Sequence, residues 1–201
     1  AHELQTPLAV CMNNLELLSE HPDCTEDQLK EIAGLHQALN GIIRLNKSLL
    51  LLSRIDNKQF PETRDICLNH LIHKILEGIN DIYERKALHL RVSEKESLVC
   101  TMNESLATTL ITNLIKNAYV HNYEKGDIGI TISRRMLTIA NTGIDKTLDK
   151  ELLFARFASQ SKQQESTGLG LAIVKAIVDL YSIRIDYQYA NGMHTFTLLF
   201  Y

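Results

Sequence analysis

The first 56 residues carry a heptad pattern of apolar side chains, and this pattern restricts the possible folds more than any other feature of the chain. The apolar positions recur at alternating spacings of four and three residues in two successive segments. They are Leu4, Leu8, Cys11, Leu15 and Leu18 in the first segment and Leu35, Ala38, Ile42, Leu45, Leu49 and Leu52 in the second. This period is typical of α-helices that pack along a shared seam. We therefore predict a hairpin of two long helices.

The hairpin is predicted to turn near Pro22, and Thr25 is a good N-cap for a second helix that ends at about Asp56. No capping residue precedes the first helix, so we expect it to continue from an upstream segment. Additional apolar residues make the stripe of the second helix wider than one partner can cover. This favours a dimeric four-helix bundle. The alternative is a hairpin that packs on the C-terminal part of its own chain.

Composition and charge exclude several classes of protein. Hydrophobic residues make up 45% and charged residues 22% of the 201 residues, as in globular proteins, and the net charge of −3 gives no overall attraction to nucleic acid. The longest apolar run, Leu8–Met12, is far shorter than the ~20 residues of a membrane span. We expect no secretory signal, because no charged start leads into an apolar stretch. The four cysteines form no CxxC pair, and we expect free thiols in a reducing compartment. They are Cys11, Cys24, Cys67 and Cys100.

The second part of the chain is predicted to be an α+β two-layer sandwich in which helices alternate with antiparallel hairpins. Asn57–Arg64 is interpreted as a linker, so the division is 1–58 and 59–201, and Ile144–Thr167 is predicted to be a long loop. The predicted helices are Asn69–Ala87, a helix capped by Asn103 that ends near His121, and Gly168–Tyr181. The predicted strands are Leu88–Ser93, Leu98–Met102, Ile128–Ser133, Leu137–Ala140, Ile183–Tyr189 and His194–Tyr201, the last two joined at Asn191-Gly192.

The segment His2-Glu3-Leu4-Gln5-Thr6-Pro7 contains a candidate nucleophile. On a helix, His2 and Thr6 share a face, and Glu3 is close enough to hydrogen-bond the imidazole. A neutral imidazole is a nucleophile, and an adjacent carboxylate can orient or accept its proton. These six residues alone fit a surface histidine at a frayed helix end equally well. They are not the zinc motif HExxH, because Thr6 occupies the position of the second His.

Three polar residues, Asn113, Asn117 and His121, lie one turn apart on one face of an otherwise apolar predicted helix. A carboxamide oxygen is a hard ligand that suits Mg²⁺, an ion that commonly bridges to phosphates. Taken alone, this spacing fits a solvated helix face slightly better.

Two glycine-containing segments complete the candidate sites. Gly143, in Asn141-Thr142-Gly143, permits a positive φ or the close approach of a ligand, although the tripeptide alone fits an ordinary turn. Gly168 and Gly170 open a predicted helix, whose free N–H groups and positive dipole end suit a phosphate. This is not a Rossmann fingerprint, because a long loop precedes it and Ile173 replaces the third glycine.

In their order and spacing these segments resemble the catalytic core of the sensor histidine kinases of two-component signalling. His2–Pro7 is similar to that family's phosphoacceptor box, Asn113–Asn122 to its Asn box, and Asn141–Gly143 to its first Gly box. Phe154–Phe157 is similar to the Phe box and Thr167–Leu171 to the second Gly box. The resemblance covers nearly the whole chain. It implies a dimerising helical hairpin followed by a GHKL-type domain that binds ATP and Mg²⁺.

The resemblance also implies roles for the hairpin residues and for partners. His2 would accept the γ-phosphoryl group, Glu3 would be its acid–base partner, and Thr6 would position a water for dephosphorylation of the partner. That partner would be the receiver domain of a response regulator, phosphorylated on an Asp. The chain would be the cytoplasmic portion of a membrane-anchored bacterial sensor kinase, attached to the membrane only through upstream segments.

For the nucleotide pocket, the resemblance implies that Asn117 ligates Mg²⁺ and that Asn141 accepts a hydrogen bond from the amino group of adenine. Ile144–Thr167 would be the lid over ATP, and Arg156 would help to neutralise the transferring phosphate. The remaining residues expected at the nucleotide are Asn113, His121, Gly143, Gly168 and Gly170.

Three positions depart from the family pattern. Asn141 stands where an Asp is usual, Asp145 stands where a second Gly is expected, and Val120 stands where a Lys is frequent. The alternative interpretation is therefore a degenerate kinase that binds nucleotide weakly and mainly binds or dephosphorylates its regulator. Titration with Mg-ATP separates the two, because the alternative predicts little binding.

Overall fold

A computed structural model of the chain describes residues 2–157 and 168–201, with side chains from Thr6 onward. The helices are α1 (His2–Ser19), α2 (Glu26–Asp56), α3 (Leu68–Tyr83), α4 (Glu104–Val120), α5 (Lys150–Leu153) and α6 (Gly170–Leu180), with a 3₁₀ turn at Glu84–Lys86. The strands are β1 (Arg64–Cys67), β2 (His89–Glu94), β3 (Val99–Met102), β4 (Asp127–Ser133), β5 (Met136–Thr142), β6 (Arg184–Ala190) and β7 (Met193–Leu199).

The helices α1 and α2 form the predicted hairpin, and Thr25 is the N-cap of α2 as expected. The Thr25 side chain accepts a hydrogen bond from the backbone N–H of Gln28, whose side chain accepts the backbone N–H of Thr25 at 2.9 Å. This reciprocal capping box pairs backbone donors that the helix itself leaves free. It fixes where α2 begins.

The apolar stripe of α2 has two parts. Leu52 and Ile55 are buried, and this last part of α2 packs against α6 of the second domain. Leu35, Ile42 and Leu49, further towards the start of α2, remain exposed. The end of the hairpin therefore packs on its own chain, whereas most of the stripe stays open to solvent.

The second domain is the predicted α+β sandwich. Its main sheet has the order β2-β4-β5-β7-β6, in which β2 and β4 are parallel and the other pairs are antiparallel. Alternate residues of β4, β5 and β7 are buried on one face. This face shares one hydrophobic core with α4 and α6. One row across the sheet aligns Ile130, Ile139, Phe196 and Tyr187.

The pairing of the first three strands differs from the prediction. β1 was expected to be linker and unassigned chain, but Ile66 is buried and β1 pairs antiparallel with β3. β2 and β3 therefore do not form the expected hairpin, because β2 pairs in parallel with β4 and β3 pairs with β1. These partners are distant in sequence, so local alternation does not reveal them.

The other boundaries agree closely with the prediction. Asn191 and Gly192 have φ values of 52° and 76°, as expected for the tight turn that joins β6 to β7. The predicted loop 144–167 contains the short helix α5, and its part at 158–167 lies outside the described residues. The helix predicted to open at Gly168 begins at Gly170, because Gly168 has a φ of 67° and lies before the first turn.

Candidate functional site

The helix α4 carries the polar face that the asparagine spacing predicts. Asn113 and Asn117 are half-buried and lie one turn apart, while Leu114, Ile115 and Ala118 between and beside them are buried in the core. The Asn113 Nδ2 donates to the carbonyl of Thr109 at 2.8 Å, which orients its carboxamide. The two carboxamides thus lie where the helix meets the surface of the domain.

Two glycines border this polar face at its two ends. A Cβ atom on Gly170 would lie 2.9 Å from Asn113 Oδ1, so the first turn of α6 rests directly against Asn113. A Cβ atom on Gly143 would lie 3.1 Å from the carbonyl oxygen of His121, the C-cap residue of α4. The asparagine face of α4 therefore runs from the start of α6 to the end of β5.

Asn141 is buried at the end of β5, on the sheet face that points into the core. Its Nδ2 donates to the carbonyl of Thr142 at 2.8 Å. A carbonyl only accepts, so this bond determines which end of the carboxamide is the nitrogen. The side chain therefore has a fixed orientation in which Oδ1 remains available as an acceptor on the other side.

Lys86, which sequence reasoning missed, caps the C-terminal end of α4. Its Nζ donates to the carbonyls of Tyr119, Val120 and Asn122 at 2.9, 2.8 and 3.0 Å. A cation at a helix C-terminus pairs carbonyls that the helix leaves free and interacts favourably with the helix dipole. The last turn of α4 contains no basic residue of its own, so nothing near it in sequence indicates this cap.

His121 follows directly on this capped end. The residue as a whole is exposed, but surrounding protein atoms partly bury the imidazole, and this desolvation lowers the pKa of His121. The positive charge of Lys86 lowers the pKa further, and the neighbouring His194 ring adds to this when it is protonated. Each of these effects disfavours the protonated ring, so the neutral imidazole is stabilised at this end of the asparagine face.

A second polar network that the sequence did not reveal joins the end of α4 to β4 and β5. Asn122 is buried, its Oδ1 accepts the hydroxyl of Thr142 at 2.6 Å, and its Nδ2 donates to the carbonyl of Asp127 at 3.1 Å. The Thr142 hydroxyl oxygen accepts the backbone N–H of Asp127 at 2.9 Å. A Cβ atom on Gly126 would collide with both Asn122 and Thr142. Close packing here fixes the position of β5 relative to α4.

The start of α6 has the features of an anion site. Leu169, the N-cap residue of α6, makes no side-chain capping bond, and the first turn of α6 contains no acidic residue. Just before it, the carbonyl of Gly168 accepts the N–H of Phe157 at 3.1 Å. The N–H groups of the first turn and the positive end of the dipole are thus directed away from the helix, next to Asn113.

Arg156 lies between the two domains. Its Nη2 is 3.2 Å from Oδ2 of Asp56, the last residue of α2, and both side chains are about half exposed. This ion pair connects the segment that leads into 158–167 with the end of the hairpin. The Phe154–Phe157 segment is thereby linked to the end of α2.

The other predicted site residues lie at the start of α1. Thr6 is exposed on this helix, while the side chains of His2 and Glu3 lie outside the described part of the structure. No cluster of three or more His, Cys, Asp or Glu side chains in 6–157 and 168–201 is arranged to hold a metal ion. Within the described helices, none has both the length and the apolar character needed to cross a membrane.

Comparison with known proteins identifies both parts of the chain. Residues 1–58 match the family model of the His Kinase A (phospho-acceptor) domain. Residues 102–200 match that of the histidine kinase-, DNA gyrase B- and HSP90-like ATPases. The heme sensor protein HssS of Staphylococcus saprophyticus is 33% identical over 210 residues, which is 100% of this chain and 45% of HssS. The sensor histidine kinase HprS of Escherichia coli is 31% identical over 98% of this chain and 45% of its own length.

The fold is also that of solved histidine kinases. Full-length ShkA in complex with AMPPNP superposes with a TM-score of 0.74 at 17% identity, over 100% of this chain and 45% of ShkA. The chain spans just under half the length of the curated relatives that it matches. With a phosphoacceptor domain at 1–58, an ATPase domain at 102–200 and relatives of this kind, the chain belongs to the sensor histidine kinase family as a catalytic core.

Proposed function

We propose that this chain is an ATP-dependent protein-histidine kinase core, which autophosphorylates on His2 and passes the phosphoryl group to an Asp of a response regulator. One observation carries the proposal: the asparagine face of α4 is bordered by Gly170 at Asn113 and by Gly143 at His121. A Cβ atom at either glycine would come into close contact with this face. We propose that the nucleotide binds in a groove along these two turns of α4, bordered by the two glycines.

The groove has chemically different ends, which gives a bound nucleotide a direction. Asn141 Oδ1, close to Gly143, is an oriented acceptor suited to the amino group of adenine. The N-terminus of α6, at Asn113, suits phosphate oxygens. Asn113 and His121 are eight residues apart, about 12 Å along the helix axis. ATP would therefore lie along α4 with its base near β5 and its triphosphate near α6.

Asn117 lies between these ends, and its half-buried carboxamide is of a type that ligates Mg²⁺. A bound Mg²⁺ would neutralise charge on the phosphates during transfer. We assign Asn117 as its protein ligand, with Asn113 next to it on the phosphate side. Gly143, Gly168 and Gly170 shape the pocket, and His121 lies at its adenine end.

In the proposed reaction, a ring nitrogen of His2 attacks the γ-phosphorus. A P–N bond forms while the bond to the oxygen that bridges the β- and γ-phosphorus breaks, and ADP leaves. Glu3 takes up or orients the ring proton. Arg156 contributes positive charge near the transferring group. The Asp of the regulator then attacks the phosphorus, the P–N bond breaks, and Thr6 positions the water for the later hydrolysis.

The hairpin supports two further proposals. Leu35, Ile42 and Leu49 form an exposed apolar stripe on α2, which a second copy of the hairpin would cover in a four-helix bundle. Because the chain spans just under half of its relatives, we propose that it is the cytoplasmic part of a sensor kinase with upstream membrane segments.

The test is incubation with γ-labelled ATP, using a chain extended upstream of Ala1 so that His2 does not lie at the chain terminus. We expect label that is lost in acid and stable in base, as for a phosphoramidate, and that disappears in His2→Ala. His21→Ala is the matched control, because His21 is an exposed histidine of the same hairpin. Label that survives acid, or that persists in His2→Ala, would refute the assignment of His2.

A further inference from the structure

The segment 143–148, here called the lid root, follows β5 and begins the loop that the resemblance implies to be a lid. Three aromatic side chains of the β6–β7 hairpin hold this segment. His194 Nε2 lies 2.8 Å from the carbonyl oxygen of Ile144. His194 Nδ1 lies 2.8 Å from the hydroxyl of Tyr187, and this hydroxyl accepts the backbone N–H of Leu148 at 3.2 Å. Two main-chain groups at the root of the lid are thus bound by one buried chain of hydrogen bonds.

With a neutral His194 ring, only one arrangement of protons satisfies all of these hydrogen bonds. The carbonyl of Ile144 can only accept, so His194 Nε2 must carry the ring hydrogen. His194 Nδ1 is then the acceptor, which requires the Tyr187 hydroxyl to donate to it. The Leu148 N–H donates to the oxygen of the same hydroxyl. Every donor in the series has an acceptor, and the ring has a defined tautomer.

This series of hydrogen bonds lies in the core of the domain. Tyr187 is 1% and His194 is 5% exposed, and their rings stack with centroids 6.0 Å apart. Solvent cannot replace a hydrogen bond lost at such a depth, so loss of one partner leaves the other unpaired. The Tyr189 ring also packs on His194, with ring centroids 4.7 Å apart, and the Tyr189 hydroxyl donates to Asp145.

His194 also touches the adenine end of the groove. It is the cross-strand partner of Asn141 in the pairing of β5 with β7, and both side chains are buried. A Cβ atom on Gly143 would lie 3.0 Å from His194 Cδ2. The imidazole is thus packed directly behind Gly143 while it binds the next residue along the chain. Movement of the ring would displace Gly143 and the lid root together.

We infer that His194, oriented by Tyr187, is a positioning residue that fixes the lid root and keeps the adenine end of the pocket formed before nucleotide arrives. The inference rests on the proposed function for the identity of the ligand. Binding to a pocket that is already ordered costs less free energy than binding to one that must first become ordered. Loss of these hydrogen bonds therefore weakens nucleotide binding but leaves the rate of phosphoryl transfer at saturating ATP unchanged.

Tyr187→Phe tests this with little change of volume, because it removes only the hydroxyl. We expect the Kd for Mg-ATP, measured by calorimetry, to rise about tenfold, as for one unsatisfied buried hydrogen bond. Tyr181→Phe is the matched control, because the Tyr181 hydroxyl also accepts a backbone N–H, that of Asn103 at 3.0 Å. Both variants lose the same kind of bond, but Tyr181→Phe should bind ATP as the parent does.

His194 itself is tested by a pair of substitutions. His194→Gln keeps an amide donor that can reach the Ile144 carbonyl, whereas His194→Leu keeps only the volume. We expect His194→Gln to bind ATP more tightly than His194→Leu. In kinase assays with the upstream-extended chain, the variants should raise the KM for ATP and leave kcat within about twofold.

Two measurements on the nucleotide-free protein separate this inference from the proposed function. In long-range proton–nitrogen NMR spectra, His194 should be the Nε2–H tautomer, and the Leu148 amide should exchange faster in Tyr187→Phe than in the parent. Equal exchange rates of Leu148 in the two proteins, or the Nδ1–H tautomer, would overturn the inference whether or not ATP binds. A parent that shows these signatures but binds no Mg-ATP would instead refute the proposed function.

Discussion

Arg156 and Asp56 join the two domains through an ion pair in which Nη2 lies 3.2 Å from Oδ2. Asp56 ends α2, and Arg156 directly precedes Phe157, whose N–H bonds to Gly168. The pair is half exposed, so its contribution to stability is about 0–1 kcal/mol. An interaction this weak can be exchanged for another, as the proposed role of Arg156 at the transferring phosphate requires.

The two members of this pair should have different effects on activity. Arg156→Ala should lower the autophosphorylation rate at saturating ATP by at least about tenfold, because a cation beside the transferring phosphoryl group is lost. Asp56→Asn should keep or raise that rate, since it releases Arg156. Both variants should stay within about 1 kcal/mol of the parent in urea unfolding. An equal loss of rate in both would mean that Arg156 acts only through Asp56.

Lys86 should stabilise the ATPase domain through the end of α4. Lys86→Met leaves three carbonyls without their charged donor, and we expect the free energy of unfolding to fall by about 1–3 kcal/mol. Urea unfolding followed by circular dichroism measures this. Arg85→Met is the control, because Arg85 is an exposed cation of the same 3₁₀ turn, and it should change stability by less than about 0.5 kcal/mol. A similar loss in both variants would contradict the cap.

The same substitution should change the titration of His121. Desolvation lowers the pKa of His121 most, and repulsion from Lys86 lowers it further. Removing the ammonium in Lys86→Met removes only the second effect, so the pKa of His121 should rise towards its ordinary value of about 6.5. Proton NMR of the His121 ring as a function of pH measures the shift. Arg85→Met should leave this titration unchanged, and a fall in Lys86→Met would exclude the repulsion.

Local sequence signals predicted much of this fold. The heptad seam and the Thr25 cap placed α2, and the alternation in β4 and β5 placed the central strands because side chains alternate between two environments. Asn191 and Gly192 both adopt positive φ, so their turn was also indicated by residue type. In each case, the physical cause lies within a few neighbouring residues.

Contacts between distant residues were not predictable in this way. β1 is only four residues long and is fixed by its pairing with β3, while Lys86 reaches carbonyls more than 30 residues away. At the site, the spacing of Asn113 and Asn117 placed them on one face, but nothing in sequence placed Tyr187 and His194 beneath the lid root. Those relations arise only when the β6–β7 hairpin packs beside β5.

Thr6 should separate the two activities of the hairpin. It is exposed on α1, one turn from His2, where its hydroxyl could orient the water that hydrolyses the phosphorylated regulator. Thr6→Ala should therefore slow dephosphorylation of the regulator by about tenfold or more while autophosphorylation stays within about twofold. Asn13→Ala, an exposed polar residue one heptad further along α1, is the control. Equal loss of both activities in Thr6→Ala would point to damage of the helix.

Asn141 gives the sharpest test of the adenine pocket. Asn141→Ala should leave the adenine amine unpaired, which costs about 1–3 kcal/mol, or roughly a five- to 150-fold loss of affinity. Preference for ATP over GTP should disappear with it. Calorimetric titration with Mg-ATP and Mg-GTP measures both. Thr138→Ala is the control, because Thr138 lies on the same strand as Asn141 but on the opposite face of the sheet. It should change neither the affinity for ATP nor the preference for ATP over GTP.

Asn141→Asp adds a test of the orientation of this side chain. A carboxylate is a stronger acceptor for the adenine amine, so this variant should bind ATP at least as tightly as the parent. It cannot donate to the Thr142 carbonyl, which now accepts Nδ2 at 2.8 Å, so the nucleotide-free variant should melt at a lower temperature. Binding at least as tight as the parent's, together with a lower Tm, is a combination that a plain turn residue would not produce. If Asn141→Ala binds ATP as tightly as the parent, Asn141 is only a turn residue, and the adenine pocket lies elsewhere.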